Sequence, residues 1–217
     1  MKITRKQIDE MSHVRRLNLI NGITGIKPAN LIGSTSKQKE PNLAIFSSVV
    51  HMGSNPPLLG FIMRPNGDVK RDTYENILQN KYFTINHVHE SFIEKAHYTS
   101  AKFESDVSEF ERCELTEEYI NGFTAPYVGE SKIKLGMKFK EEHFIKANGT
   151  RLIIAEILEI HLPEEVIDDK GYIRLDKAFD VGIGGLNSYY NLKRITSFPY
   201  ARVSETPNFN QEETISE

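Results

Sequence analysis

Cysteine is nearly absent. Cys113 stands alone, so the 217-residue chain can form no internal disulfide, and this usage fits a reducing cytoplasm. Long apolar runs are missing as well. No stretch approaches the ~18 residues that would read as a membrane span, and the opening MKITRKQIDEM is charged, without the apolar core of a signal peptide. A strong charge of one sign is also lacking: 27 Lys and Arg against 30 Asp and Glu leave −3, which gives no global attraction to nucleic acid or membrane. There is no G-x-x-x-x-G-K-[ST] loop. Gly182-Ile183-Gly184-Gly185 fails the dinucleotide fingerprint, because the third glycine would fall at Asn187. We read it as a flexible turn. No repeat of solenoid or propeller period is present.

With 39% hydrophobic and 26% charged residues the chain can bury a core. Its organisation reads as an N-terminal helical segment over 1–24, a β domain over 25–200, and a polar, acidic tail over 201–217 that is expected to be mobile. Short strands dominate: Asn30 to Gly33, Leu43 to Val50, Pro57 to Met63 after an SNPP turn, and Tyr82 to Val88. In Lys132 to Lys140 the residues Ile133, Leu135, Met137 and Phe139 alternate with lysines, the mark of a half-buried strand. Arg151 to Leu162 is apolar at nearly every position and should be central, buried on both faces for part of its length. Asp168-Asp169-Lys170-Gly171 reads as a turn.

Helices are few. One is expected from Thr4 to about Asn18. A second opens on Asp72-Thr73-Tyr74-Glu75, read as a capping box, and runs to Gln79. A third follows Ser91-Phe92-Ile93-Glu94. Strands broken by short helices predict a mainly β antiparallel barrel rather than βαβ units.

The chemistry-bearing residues are sparse. His87 and His89 share a strand face, but spacing selects no third ligand from Glu90, His51, His97, His143 or His161. No metal is expected. Cys113 lies beside Glu111 and Glu114, which disfavour its thiolate. Ser47 and Ser48 lack a G-x-S-x-G elbow. No catalytic side chain is expected. What remains is an anion-binding set. Phe46-Ser47-Ser48 offers hydroxyls and amides, and Arg64, Lys70, Arg71 and Thr73 lead into a helix start. His97 to Lys102 closes another helix with polar groups and a cation.

Several segments resemble, in order, the flavin reductase-like FMN-binding split-barrel family. They are Asn42 to Ser48, Ser54 to Phe61, Arg71 to Ile77, Phe83 to Asn86, Tyr98 to Ala101 with Glu109-Phe110, Ile153 to Ile157, Gly184-Gly185 and Tyr189-Tyr190. The resemblance implies a six-stranded antiparallel split β-barrel and a homodimer with FMN near its interface. It also implies hydride transfer from NADH or NADPH to flavin, some members serving a partner monooxygenase or another acceptor and others binding FMN without established turnover. By position, Asn42, Ala44 and Phe46 would line the flavin ring through main-chain groups. Ser47 and Ser48 would meet the ribityl–phosphate region, and Arg64, Lys70, Arg71 and Thr73 the phosphate. Thr99, Ser100, Ala101 and Lys102 would approach from a loop, with Tyr189 and Tyr190 over the ring or at the dimer contact. One departure stands out. Where many relatives carry a histidine facing the nicotinamide side, this chain reads Asn148-Gly149-Thr150-Arg151.

Overall fold

The chain opens with a reciprocal cap: Gln7 N–H donates to Thr4 Oγ1 (3.4 Å) while Thr4 N–H donates to Gln7 Oε1 (2.8 Å). The computed structural model describes residues 1–65, 71–103 and 107–209. The expected single helix is two, α1 (Arg5–Asp9) and α2 (His13–Gly22). At the break, Arg16 Nη1 reaches the carbonyls of Asp9 (3.4 Å) and Met11 (3.5 Å) that a continuous helix would have used. Then come β1 (Lys27–Pro28), β2 (Asn30–Thr35), β3 (Pro41–Phe46), β4 (Val50–Ser54) and β5 (Pro57–Met63). Next are α3 (Asp72–Asn80), β6 (Tyr82–His87), α4 (Ile93–Tyr98) and α5 (Glu109–Arg112), followed by β7 (Glu117–Glu118) and β8 (Tyr127–Val128). The long β9 (Lys134–Ile145) and β10 (Thr150–His161) precede α6 (Leu175–Ala178), β11 (Val181–Gly184) and β12 (Ser188–Asn191).

The main sheet has seven antiparallel strands in the order β3-β2-β6-β9-β10-β5-β4, and β1-β11-β12 form a smaller sheet. Six strands were expected. The extra one is β4, because the predicted strand from Leu43 to Val50 breaks after Phe46 and resumes at Val50 as a hairpin partner of β5. At that break Ser48 closes the barrel. Its hydroxyl accepts from Ile62 N–H (3.0 Å) and donates to Ile62 O (3.3 Å), joining the end of β3 to the far side of the sheet. Two register shifts between β9 and β10, at Ile154/Ala155 and Ile157/Glu159, bend the long hairpin around the core.

Alternation along β2 sorts the core. Ile32 joins Phe61, Phe83, Ile85, Met137 and Ile153 inside the barrel. Leu31 points the other way and packs with Leu43, Phe92, Ala96, Phe110 and Val181 under α4 and α5. The alternation read in Lys132 to Lys140 holds: Ile133, Leu135 and Met137 are buried, Lys138 and Lys140 exposed. Lys134 departs from it, buried in an ion pair with Glu118. In β10, Ile153, Ile154 and Ala155 are buried on both faces, as the apolar run required.

Two local readings need correction. Asp72 is the first residue of α3, not its cap. Arg71 occupies the cap position and no side-chain capping bond forms. Of the glycines after Val181, Gly185 (φ 63°) does lie in a turn, but Gly182 and Gly184 lie within β11. A Cβ on Gly184 would sit 2.9 Å from the Tyr190 ring, and one on Gly182 would strike Ile26.

Gly33 is the tightest point of the main sheet, where a Cβ would collide with the Pro126 carbonyl and the Thr84 hydroxyl. Gly33→Ala is expected to lower stability by at least ~2 kcal/mol through overpacking. An unchanged urea midpoint would contradict this packing.

Candidate functional site

β3 is an outer strand with β2 on one side only. Its Leu43 N–H turns away from β2 and donates to a Glu109 carboxylate oxygen at 3.0 Å. Main-chain groups alternate sides along a strand. Those of Asn42, Ala44 and Phe46 therefore face β2, and Ile45 presents its N–H and C=O to the open edge. The main-chain groups at the open edge are thus those of Ile45 and the bend at Ser47, while those of Asn42, Ala44 and Phe46 pair with β2. Asn42 instead works through its side chain, donating to Thr73 Oγ1 (2.9 Å) and Ser34 Oγ (3.2 Å). Asn76 donates to the same serine at 3.3 Å. This buried polar knot fixes α3 on β2 and β3, and Thr73 is enclosed by it. The Phe46 ring meets Phe61 edge-on at 5.1 Å.

The serine pair divides its work. Ser48 is occupied by Ile62, whereas the half-buried Ser47 hydroxyl has no hydrogen bond among the described residues. Arg64 is exposed where β5 ends, and Lys27 lies near it. Lys27 Nζ donates to Gly185 O (2.8 Å) and Asn21 O (3.0 Å), which leaves one of its three donors. Burial pushes the Lys27 pKa down, and the Arg64 charge pushes it further the same way. Sequence reading passed over Lys27. The available signal was a lone cation directly ahead of the first long strand. Arg71 is exposed at the start of α3, and no carboxylate among the described residues pairs with Arg64 or Arg71. Lys70 lies outside the described residues.

A third group comes from α4 and β12. Thr99 Oγ1 donates to Ala96 O (2.8 Å) and Ser100 Oγ to His97 O (2.7 Å), so both hydroxyls serve the frayed end of α4. Thr99 is buried, while Ser100, Ala101 and Lys102 are exposed. The Tyr189 hydroxyl lies 3.0 Å from His97 Nδ1, and burial pushes its pKa up to about 12. Tyr189, Ile45 and Phe103 all pack on the cluster containing Ala96, which brings β12, the α4 loop and the open edge of β3 together. Tyr190 projects to the other side of β12 and covers Gly184.

Other polar groups are committed elsewhere. Arg151 lies between the rings of Tyr74 (5.4 Å) and Phe144 (5.1 Å), and its guanidinium is 3.4 Å from the Glu142 carboxylate. His87 Nδ1 pairs with buried Asp180 at 2.7 Å, and His89 Nδ1 accepts from Ser91 N–H. No group of three metal-ligating side chains occurs among the described residues. Cys113 is buried, and burial followed by the Glu109 charge raises its pKa. No helix of the described residues is long and apolar enough to cross a membrane.

Among the described residues this region has the outward main-chain groups of Ile45, the uncommitted Ser47 hydroxyl and the exposed Arg64 with Lys27 near it, and no activated nucleophile. That suits holding a polar anionic molecule whose own chemistry does the work. Residues 26–179 match the model of the flavin reductase like domain. The chain belongs to the flavin reductase-like family. It is 41% identical to a split-barrel protein of Shewanella frigidimarina that is classed by name with the flavin reductases. That similarity covers 93% of this chain and all of the other, with a TM-score of 0.89. Nitrilotriacetate monooxygenase component B of Bacillus cereus shares the fold at 19% identity and TM-score 0.79, over 91% and 98% of the two chains. The uncharacterized protein YwrF of Bacillus subtilis is 28% identical over 79% of this chain and 86% of its own. The barrel is accordingly a split barrel, and the family is one of flavin-related oxidoreductases.

Glu109 provides a test of the β3 edge. Burial raises its pKa above the usual carboxylate range, opposed by the Leu43 N–H bond. A raised carboxyl pKa means that the folded state binds more protons, so this group's contribution falls as pH rises from the ordinary value through the folded one. Glu109→Gln keeps an acceptor for Leu43 N–H and removes that slope. Relative to the unsubstituted chain, the variant's melting temperature should gain steadily as pH rises across this window; a constant difference would contradict the assignment.

Proposed function

We propose that this chain binds FMN along the open edge of β3 and, as a homodimer in a reducing cytoplasm, transfers hydride from NADH or NADPH to it. The observation that carries this reading is the uncommitted Ser47 hydroxyl at the bend after β3, where the bond of Ser48 to Ile62 brings the chain beside the end of β5 that carries Arg64, a cation whose charge also acts on Lys27. A phosphate dianion relieves the repulsion between these two cations and takes bidentate bonds from a guanidinium, so the residues present fit a phosphate ester. When bound, FMN supplies the hydride-accepting ring, which this chain's side chains cannot replace.

The protein's part is placement. Ile45 and Ser47 offer directional hydrogen bonds to the polar rim of the ring and to the ribityl chain. Arg64, Lys27 and, from the start of α3, Arg71 draw in the phosphate. Tyr189, held by His97, and the exposed Lys102 border the ring region, with Lys102 positioned to favour negative charge as it develops. The monooxygenase component among the fold relatives supports a role in passing reduced flavin to a partner enzyme or another acceptor.

A second reading, FMN binding without physiological reductase activity, is favoured by one observation. Where the resemblance calls for a histidine, the chain has Thr150-Arg151, and Arg151 is tied to Glu142 between two rings. Anaerobic stopped-flow mixing of the FMN-loaded protein with NADH or NADPH separates the two. Rapid, saturable bleaching is expected, and slow, non-saturating reduction would favour the second reading. For the phosphate assignment, Arg64→Ala or Arg71→Ala should weaken FMN binding by ~1.5–3 kcal/mol, as for a lost charged hydrogen bond. Unchanged affinity in both variants, measured by fluorescence quenching, would overturn it.

A further inference from the structure

The turn between β9 and β10 is tight. Asn148 N–H and Gly149 N–H both donate to Ile145 O, at 3.3 and 2.9 Å, and Gly149 has φ 72°. This closure sets Phe144 and Arg151 opposite each other as cross-strand partners, so their side chains share one face of the hairpin. The guanidinium carbon of Arg151 lies 5.1 Å from the centre of the Phe144 ring and 5.4 Å from that of Tyr74 on α3. Two rings thus hold one cation. Tyr74 is buried, whereas Phe144 is 54% exposed and the Arg151 side chain keeps 35% of its surface open.

The polar contacts of this cation are few. Its Nη1 makes one long contact with Glu142 Oε1, at 3.4 Å, and the guanidinium has no other hydrogen-bond partner among the described residues. Glu142 is itself held by the Tyr74 hydroxyl, which donates to its two carboxylate oxygens at 3.2 and 2.9 Å. Carboxylate and rings therefore fix the guanidinium without filling its donor fork. Its rotamer freedom is lost before any ligand arrives, which lowers the ordering cost of binding. The turn also lies against the region assigned above to phosphate. Arg151 is the register partner of Met63, the residue before Arg64, and a Cβ on Gly149 would sit 3.4 Å from Pro65 Cγ, just after Arg64. Arg71 stands one turn ahead of Tyr74, whose N–H bonds to the Arg71 carbonyl at 2.9 Å.

In the reading above, Arg64 and Arg71 draw in the single phosphate of FMN, which leaves Arg151 for a second anion. An exposed aromatic face beside a pre-set guanidinium suits an adenosine that carries a phosphomonoester. The base stacks on the ring, and the phosphate oxygens take the planar fork. An arginine at the ribose 2′ position accommodates a 2′-phosphate, whereas a free 2′-hydroxyl gains little from it. We propose that Arg151, held between Tyr74 and Phe144, receives the adenosine 2′-phosphate of NADPH and selects this donor over NADH, with Phe144 as the stacking face for adenine. The inference rests on the hydride-donor reading above and adds to it the choice of donor.

Oxidised dinucleotides test this without turnover. Titration calorimetry of the full chain in excess FMN should show NADP+ binding roughly tenfold more tightly than NAD+, the effect of one charge-assisted contact. Arg151→Gln should abolish that preference by weakening NADP+ alone, and Phe144→Ala should weaken both dinucleotides alike. Should Arg151→Gln fail to fold, judged by its far-UV spectrum, Arg151→Lys carries the test. It keeps the charge and loses the fork, so the preference should drop by roughly threefold or more. Equal binding of NADP+ and NAD+ to the unsubstituted chain, or a preference that survives substitution of Arg151, overturns the inference and leaves the hydride-donor reading standing. Equal NADP+ affinity in Phe144→Ala and the unsubstituted chain overturns the stacking face. If neither dinucleotide binds the unsubstituted chain, the hydride-donor reading falls and the inference falls with it.

Discussion

All six residues of β2 are buried, and the rest of the structure is arranged around that fact. A strand enclosed on both faces must find apolar partners above and below and hydrogen-bonding strands on each side. Ile32 meets the barrel interior and Leu31 the layer under α4 and α5, so one short strand links the two cores. Gly33 lets the Pro126 carbonyl press onto it, and Thr84 Oγ1 donates to that carbonyl at 2.6 Å. Ser34, buried, receives Asn42 and Asn76 and so ties the same strand to α3. Ser34 is thus satisfied by side chains from β3 and α3, whereas the buried Asn30 Nδ2 at the start of the strand has no partner among the described residues.

The site follows from what β2 leaves over. With β2 on one side of β3 and only the Glu109 carboxylate on the other, the outward groups of Ile45 have no strand to pair with. An unpaired strand edge is ordinarily a hazard for aggregation. Here the open stretch is short, bounded by the Glu109 bond at Leu43 and the bend at Ser47.

Barrel class and most strands were legible because their pattern is local. β9 announces itself by alternation and β10 by continuous apolar character. The family was legible by resemblance. Other features were not. The split of Leu43 to Val50 into two strands depends on Ser48 reaching Ile62, 14 residues on and across the barrel mouth. The surroundings of Lys27 were not legible, because they come from Arg64 and Gly185, both distant in sequence. The surroundings of Arg151 were equally illegible, since Glu142, Tyr74 and Phe144 reach it from other parts of the chain.

By itself the sequence determined that this is a disulfide-free, mainly β chain whose hydroxyls and cations outnumber its usable nucleophiles, since composition and period-two patterning act residue by residue. Only the tertiary structure decided which of those groups remain available. Ser48, Asn42, Thr73 and Thr99 are consumed by internal hydrogen bonds, whereas Ser47 and the outward groups of Ile45 are not. The physical reason is that a polar group's partner is set by which distant segment the packed core brings within about 3 Å, and no local pattern encodes that.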